Sequence, residues 1–191
     1  MINKNQNSKG FTLVETLVSL LIFGFISVIL VNIFVSVLNS QRRILQNQEL
    51  MNQSSYALEY IAKIVRMAEN DADGTCVTAG ENYALGTNSI TFLAYDTKSL
   101  SYKCTQFLLQ DNAIKEKKST DDTSANLGTA QEITSSSVKV DDLIFAVTGD
   151  VLNDSLQPKV TIMIKMESST SFSNPPSLII QTSVSQRKLD I

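Results

Sequence analysis

The hydrophobic pattern along this chain changes character twice. From Phe11 to Leu38 apolar residues follow one another almost without a break, and no residue from Thr16 to Gln41 carries a charge. That run exceeds the roughly 20 residues a helix needs to cross a hydrocarbon core of about 30 Å, so it reads as a membrane span. Beyond it, Ile44, Met51, Leu58 and Val65 recur at heptad spacing. Leu45, Ala57, Ile61, Ala62, Ile64 and Ala68 widen the stripe, and Gln41, Arg42, Gln46, Glu49, Asn52, Glu59, Lys63 and Arg66 take the other side. The spacing predicts one helix from about Thr12 to Glu69, about 85 Å long at 1.5 Å per residue, with no proline and with Gly24 as its soft point.

After Asn70-Asp71-Ala72-Asp73-Gly74, a helix stop with glycine near the C-cap, the period drops to two. Ser89 to Tyr95 and Leu100 to Leu109 predict a hairpin around Asp96 to Ser99. Val138 to Val147 predicts a further strand. Val160, Ile162, Ile164 and Met166 alternate with Thr161, Met163, Lys165 and Glu167, and Leu178, Ile180, Thr182 and Val184 alternate likewise after Pro175-Pro176. Strands of this kind need an apolar partner for one face, and the amphipathic half of the helix offers one. The expected fold class is α+β, a long N-terminal helix across an antiparallel sheet. Lys115 to Ser137 is polar and reads as a long flexible loop. The chain therefore divides into residues 1–10, 11–38, 39–69 and 70–191.

Composition narrows the function. A net charge of −3 and a pI near 5.0 provide no basic footprint, so nucleic-acid binding is set aside. The chain has no histidine, which removes the commonest general base and metal ligand. An anchored hydrolase would rest on serines without a histidine partner or a Gly-x-Ser-x-Gly elbow. Two cysteines cannot build a structural zinc site alone; in an exported domain Cys76 and Cys104 are expected as a disulfide contributing about 3 kcal/mol, the alternative being two buried thiols. Asp71-x-Asp73-Gly74 lacks the remaining ligands of a calcium loop. Asp121-Asp122, Asp141-Asp142 and Asp150 with Asp154 read as solvated loop acids, so calcium is the lesser expectation and no other cofactor or metal is expected.

The most specific signal precedes the apolar run: Lys9, Gly10, Phe11 and then Glu15 as the acid at its start. Thr12-x-x-Glu15 matches a helix capping box, and an acid in the first turn suits the helix dipole. Deep in a bilayer a carboxylate would cost about 3 kcal/mol on insertion scales. This combination resembles the signal of type IV prepilins and of the pseudopilins of type II secretion systems. The resemblance implies cleavage after Gly10 by a membrane prepilin peptidase and N-methylation of the new terminal Phe11. It also implies a contact between Glu15 and the Phe11 amine of a neighbouring subunit; the two residues lie about 6 Å apart along the helix, so an axial offset between subunits would bring the groups together.

Flanking charge gives competing votes on orientation, Lys4 and Lys9 before the span and Arg42 and Arg43 after it; the resemblance implies a cytoplasmic N-terminus and an exported C-terminal domain. The stretch from Ser55 to Ala68 and the closing Ile180 to Asp190 resemble J-type minor pseudopilins and W-type minor pilins. Lys63 to Val65 departs from them in lacking an acid before Arg66, and Glu15 argues against the K-type tip subunit. The implied role is structural rather than enzymatic. Implied partners are prepilin peptidase, other pilins or pseudopilins, an inner-membrane assembly platform, and membrane lipid before assembly. The rival reading is a permanently anchored extracellular binding protein.

Overall fold

The computed structural model describes residues 10–150, 156–169 and 175–188. Two compact units divide between Ile44 and Leu45. One helix, α1 (Leu13–Val65, 53 residues), runs through Gly24 without interruption. In the first unit its apolar side chains are exposed all round, as expected of a helix whose solvent is lipid rather than a protein core.

The second unit is helix on sheet. Among the described residues nine strands follow α1: β1 (Ala68–Glu69), β2 (Ala84–Gly86), β3 (Ser89–Asp96), β4 (Ser101–Gln110), β5 (Ala113–Lys118), β6 (Gln131–Glu132), β7 (Val138–Thr148), β8 (Lys159–Ser168) and β9 (Ser177–Ser185). A short 3-10 turn at Ser124–Asn126 lies between β5 and β6. They form two antiparallel sheets, where the sequence predicted one. The first has the order β1-β3-β4-β5-β6, with β2 also on β3; the second has the order β7-β8-β9.

From α1, Leu50, Ser54, Ala57, Leu58, Ile61, Ile64 and Val65 are buried against both sheets, meeting Ile90, Phe92, Phe107, Ile114 and the whole inner row of β8, Val160, Ile162, Ile164 and Met166. Burial of each such large side chain is worth roughly 2 kcal/mol. The inner stripe differs from the predicted heptad. Leu58 and Val65 are in it, but Ile44 and Met51 are exposed, Met51 by 60%. Leu50 and Ser54 take the inward positions, since spacings of three and four residues keep a straight helix on one face. Ser54 is tolerated there because its hydroxyl donates to the Met51 carbonyl at 3.0 Å.

The helix also stops earlier than predicted, at Val65 rather than Glu69. Met67 N donates to the Ile64 carbonyl at 2.9 Å, tightening the last turn, and Ala68 and Glu69 then pair with Ala94 and Leu93 as β1. The predicted hairpin forms between β3 and β4, but Leu100 sits in its turn at φ 53° instead of starting the strand.

Two further departures have clear causes. The polar stretch 115–137 is not a structureless loop. Asp111 and Asn112, both at positive φ (54° and 58°), make the two-residue turn that hairpin geometry favours, and it sends β5 back along β4. The Glu116 carboxylate, inward on β5, accepts the Tyr60 hydroxyl at 2.8 Å and pairs with Lys118 at 3.0 Å. Ser135 N donates to Gln53 on α1 and Ser137 Oγ to Glu49. In β7, the ladder to β8 is shifted between Val140 and Asp142. Val138 and Val140 point inward before this bulge, Leu143 and Phe145 after it, so one extra residue changes the parity of the buried face and leaves Ile144 41% exposed.

Candidate functional site

At the N-terminus of α1 the residues singled out in the sequence, Gly10, Phe11 and Glu15, lie within about one turn of one another. Thr12 Oγ1 accepts the Glu15 N–H at 3.3 Å, and Thr16 N donates to the Thr12 carbonyl at 3.2 Å, so Thr12 is the cap that starts the helix. Farther along, Ser19 and Ser27 turn their hydroxyls back to the carbonyls of Glu15 and Phe23, both at 2.8 Å. A membrane helix can carry these serines because each hydroxyl is satisfied within the helix.

The Glu15 carboxylate itself has no hydrogen-bond or ion-pair partner among the described residues; the Thr12 hydroxyl satisfies the Glu15 backbone, not its side chain. Only one arm of the capping box is made. Phe11 is 76% exposed, and a Cβ built on Gly10 would meet no heavy atom within 4 Å. No contact among the described residues requires glycine at position 10. Lys4 and Lys9 lie outside the described residues.

Cys76 and Cys104 lie in the second unit, and the structure joins them in a disulfide, Cα to Cα 5.4 Å, with Cys104 wholly buried. The bond ties the segment after α1 to the centre of β4, and two carboxylates organise the chain around it. Asp71 is buried; its Oδ1 accepts Gly74 N at 3.0 Å, and its Oδ2 accepts Cys76 N at 2.6 Å and Val77 N at 2.9 Å. Burial on its own would raise the Asp71 pKa, but the N–H groups of Val77, Cys76, Thr75 and Gly74 outweigh it and hold the carboxyl below the ordinary carboxylate range. Gly74, at φ +69°, makes that turn possible; a Cβ there would also stand 3.0 Å from the Ala79 Cβ.

Asp121 does the same on the other side of the bond. It accepts the Thr123 hydroxyl at 2.8 Å, the Thr123 N–H at 3.0 Å and the Asn126 amide at 2.6 Å, which lower its pKa in that order of residues. Thr75 Oγ1 reaches the Asp122 carbonyl at 3.1 Å, and Ser119 bonds both Cys104 N and the Asp121 carbonyl.

The acids singled out in the sequence are thus scattered in role. Asp71 and Asp121 hold loops, Asp141 pairs with Lys165 at 3.2 Å, and Asp150 accepts Asn82 N at 3.0 Å with a pKa raised by burial. Asp154 lies outside the described residues. Among the described residues no three His, Cys, Asp or Glu side chains converge. The strapping roles of Asp71 and Asp121 were missed in the sequence, although Asp-x-x-Gly and Asp-x-Thr are the local signals of carboxylates that bond backbone two or three residues on.

Compared with known families, residues 5–31 match the prokaryotic N-terminal methylation motif. The match covers Gly10, Phe11, Glu15 and the apolar segment as far as Val31, and it supports a relation to the type IV pilins and pseudopilins. Comparisons with curated proteins and with solved structures returned no match.

Proposed function

We propose that the chain is a pilin-like structural subunit of a type IV pilus or a type II secretion pseudopilus. It enters the membrane with residues 1–10 in the cytoplasm, is cut between Gly10 and Phe11 by prepilin peptidase, and is N-methylated at Phe11. It then leaves lipid as residues 11–38 pack against the same segment of neighbouring subunits, with Glu15 facing a neighbour's Phe11 amine. An assembly platform in the inner membrane would drive that transfer. In this reading the chain is a substrate of an enzyme and not itself a catalyst.

The observation that carries the reading is a coincidence on one turn of helix. The methylation motif falls where α1 begins, and Glu15, the acid just before the uncharged run, has no side-chain partner among the described residues, one turn from the exposed Phe11. A carboxylate left alone in lipid is costly, whereas one paired across subunits is compensated. The resemblance of residues 55–68 and 180–190 to J-type and W-type subunits supports a minor position in the filament.

Co-expression with a prepilin peptidase, followed by intact-mass measurement, is the test. The chain should lose the mass of residues 1–10, and Gly10→Leu should abolish the loss. A wild-type chain that keeps its leader leaves the permanently anchored binding protein as the better account.

A further inference from the structure

Every exposed strand edge presents backbone N–H and C=O groups that need partners, and folded proteins blunt such edges with brevity, charge, proline or bulges. In the first sheet the outer strands β1, β2 and β6 have two or three residues each. In the second, the free side of β7 carries the bulge together with Lys139, Asp141 and Asp142, and its Val140 N–H is taken by the Asn112 carbonyl at 2.8 Å. β9 has none of these devices. Its nine residues, SLIIQTSVS, contain no charge and no proline, and its register with β8 is unbroken. Among the described residues no backbone group of β9 bonds outside that ladder.

The inner face beside this edge is incomplete. Ile180, Thr182 and Val184 of β9, with Leu58 and Ala62 of α1, line a cleft of about 350 Å³ where the inward side chains of one further strand would fall. Arg66 lines this cleft and also a second cavity, of about 460 Å³, that carries Arg187 just past the end of β9. The two arginines are held side by side, Arg187 N donating to the Arg66 carbonyl at 3.0 Å. Lys188 beside them is engaged by Glu69 at 2.7 Å; Arg66 and Arg187 have no carboxylate within ion-pair distance among the described residues.

We propose that the β9 edge is a docking site for an extended strand of a partner protein, with an aspartate or glutamate at the strand end that lies beside Arg66 and Arg187. A row of unpaired peptide groups is matched by another extended main chain, whose alternate side chains would fill the cleft over α1. The acid follows from the arginines, which make their strongest hydrogen bonds with carboxylates. A second copy of β9 fits less well. Paired antiparallel, it would bring Pro175-Pro176 and no acid to the arginines, because Ser177–Ser185 contains no carboxylate. The site uses none of Gly10, Phe11 and Glu15 and does not depend on the processing reading.

The test uses the full chain in detergent micelles and a fluorescent synthetic peptide of alternating threonine and valine headed by aspartate. The peptide should bind by anisotropy and slow hydrogen exchange at the amides of 177–185. Binding should weaken roughly tenfold in R66A/R187A, and equally when asparagine replaces the peptide's aspartate in the wild-type chain. Absence of β9 protection overturns the site, and equal binding of the asparagine peptide overturns the acidic partner. Protection of β9 that rises with protein concentration in the absence of peptide assigns the edge to a second copy and overturns the proposal.

Discussion

The hydroxyl of Tyr83 donates to the carbonyl of Val65 at 3.0 Å, with both residues buried, and so closes the C-terminal end of α1 from a loop that follows it. Helix ends leave carbonyls without intrahelical partners, and an unsatisfied buried one is costly. Tyr83→Phe keeps the ring against Phe92, 5.7 Å between centroids, and removes only that bond. It should lower stability by about 1 to 3 kcal/mol, read as a shift in the urea midpoint at unchanged slope.

Asp71 should make the fold sensitive to acid. Its folded pKa lies below the ordinary carboxylate value, so its contribution is present above that value and is lost as pH falls through the lowered folded one. Asp71→Asn should therefore be clearly destabilised at pH 7, and the gap to wild type should shrink in thermal melts taken at progressively lower pH. Asp150 has the opposite sign. Burial holds its folded pKa above the ordinary value, so its contribution is largest in acid and fades as pH rises through the raised one.

Reduction of Cys76–Cys104 releases a link across a sequence separation of 28. Loop-closure entropy for that span is worth about 3 to 4 kcal/mol. Cys76→Ser with Cys104→Ser should lose that amount in denaturant unfolding and should no longer respond to reductant. Exchange at amides around Asp71 and Asp121 should rise first, since their straps meet at the bond.

The bulge in β7 makes an unusual deletion tolerable. Removing Asp141 restores strict alternation, with Val138, Val140, Leu143 and Phe145 all still inward, and should change stability by about 1 kcal/mol. Removing Ile144 instead turns either Phe145 or Leu143 out of the core and should cost about 3 to 5 kcal/mol. Near-UV circular dichroism of the two deletions separates the outcomes.

At the other end of the chain, Glu15→Ala should leave removal of residues 1–10 intact and impair incorporation into filaments, measured by immunoblot of sheared filaments against membrane fractions. Normal incorporation would reject the inter-subunit contact and leave Glu15 its place in the first turn of α1, where its N–H meets Thr12.

The strands β3, β8 and β9 were legible because their inward rows are written at period two, and β4 and β7 were legible from their apolar content, although β4 buries the adjacent Cys104 and Thr105 and the bulge breaks the alternation of β7. β5 was not. Its inward positions are Ile114 and Glu116, and Lys115, Lys117 and Lys118 surround them, so the pattern reads as solvent-facing. What makes Glu116 acceptable inside is the Tyr60 hydroxyl, 56 positions earlier on α1, a partner that no local window contains. The same holds for the end of α1, where apolar periodicity runs on to Ala68 but Tyr83 and β3 stop the helix at Val65.

The sequence by itself determined the N-terminal segment: Gly10, Phe11 and Glu15 at their spacing, the uncharged run behind them and the helical period of α1. Those features depend on neighbours within a turn or two, or on lipid, and need no fold to read. Tertiary structure decided which stripe of α1 faces inward, that two sheets share the core, and that among the described residues β9 is left with an open edge. Each of these is set by hydrogen-bond and packing partners far apart in the chain, and only a fold can bring them within reach.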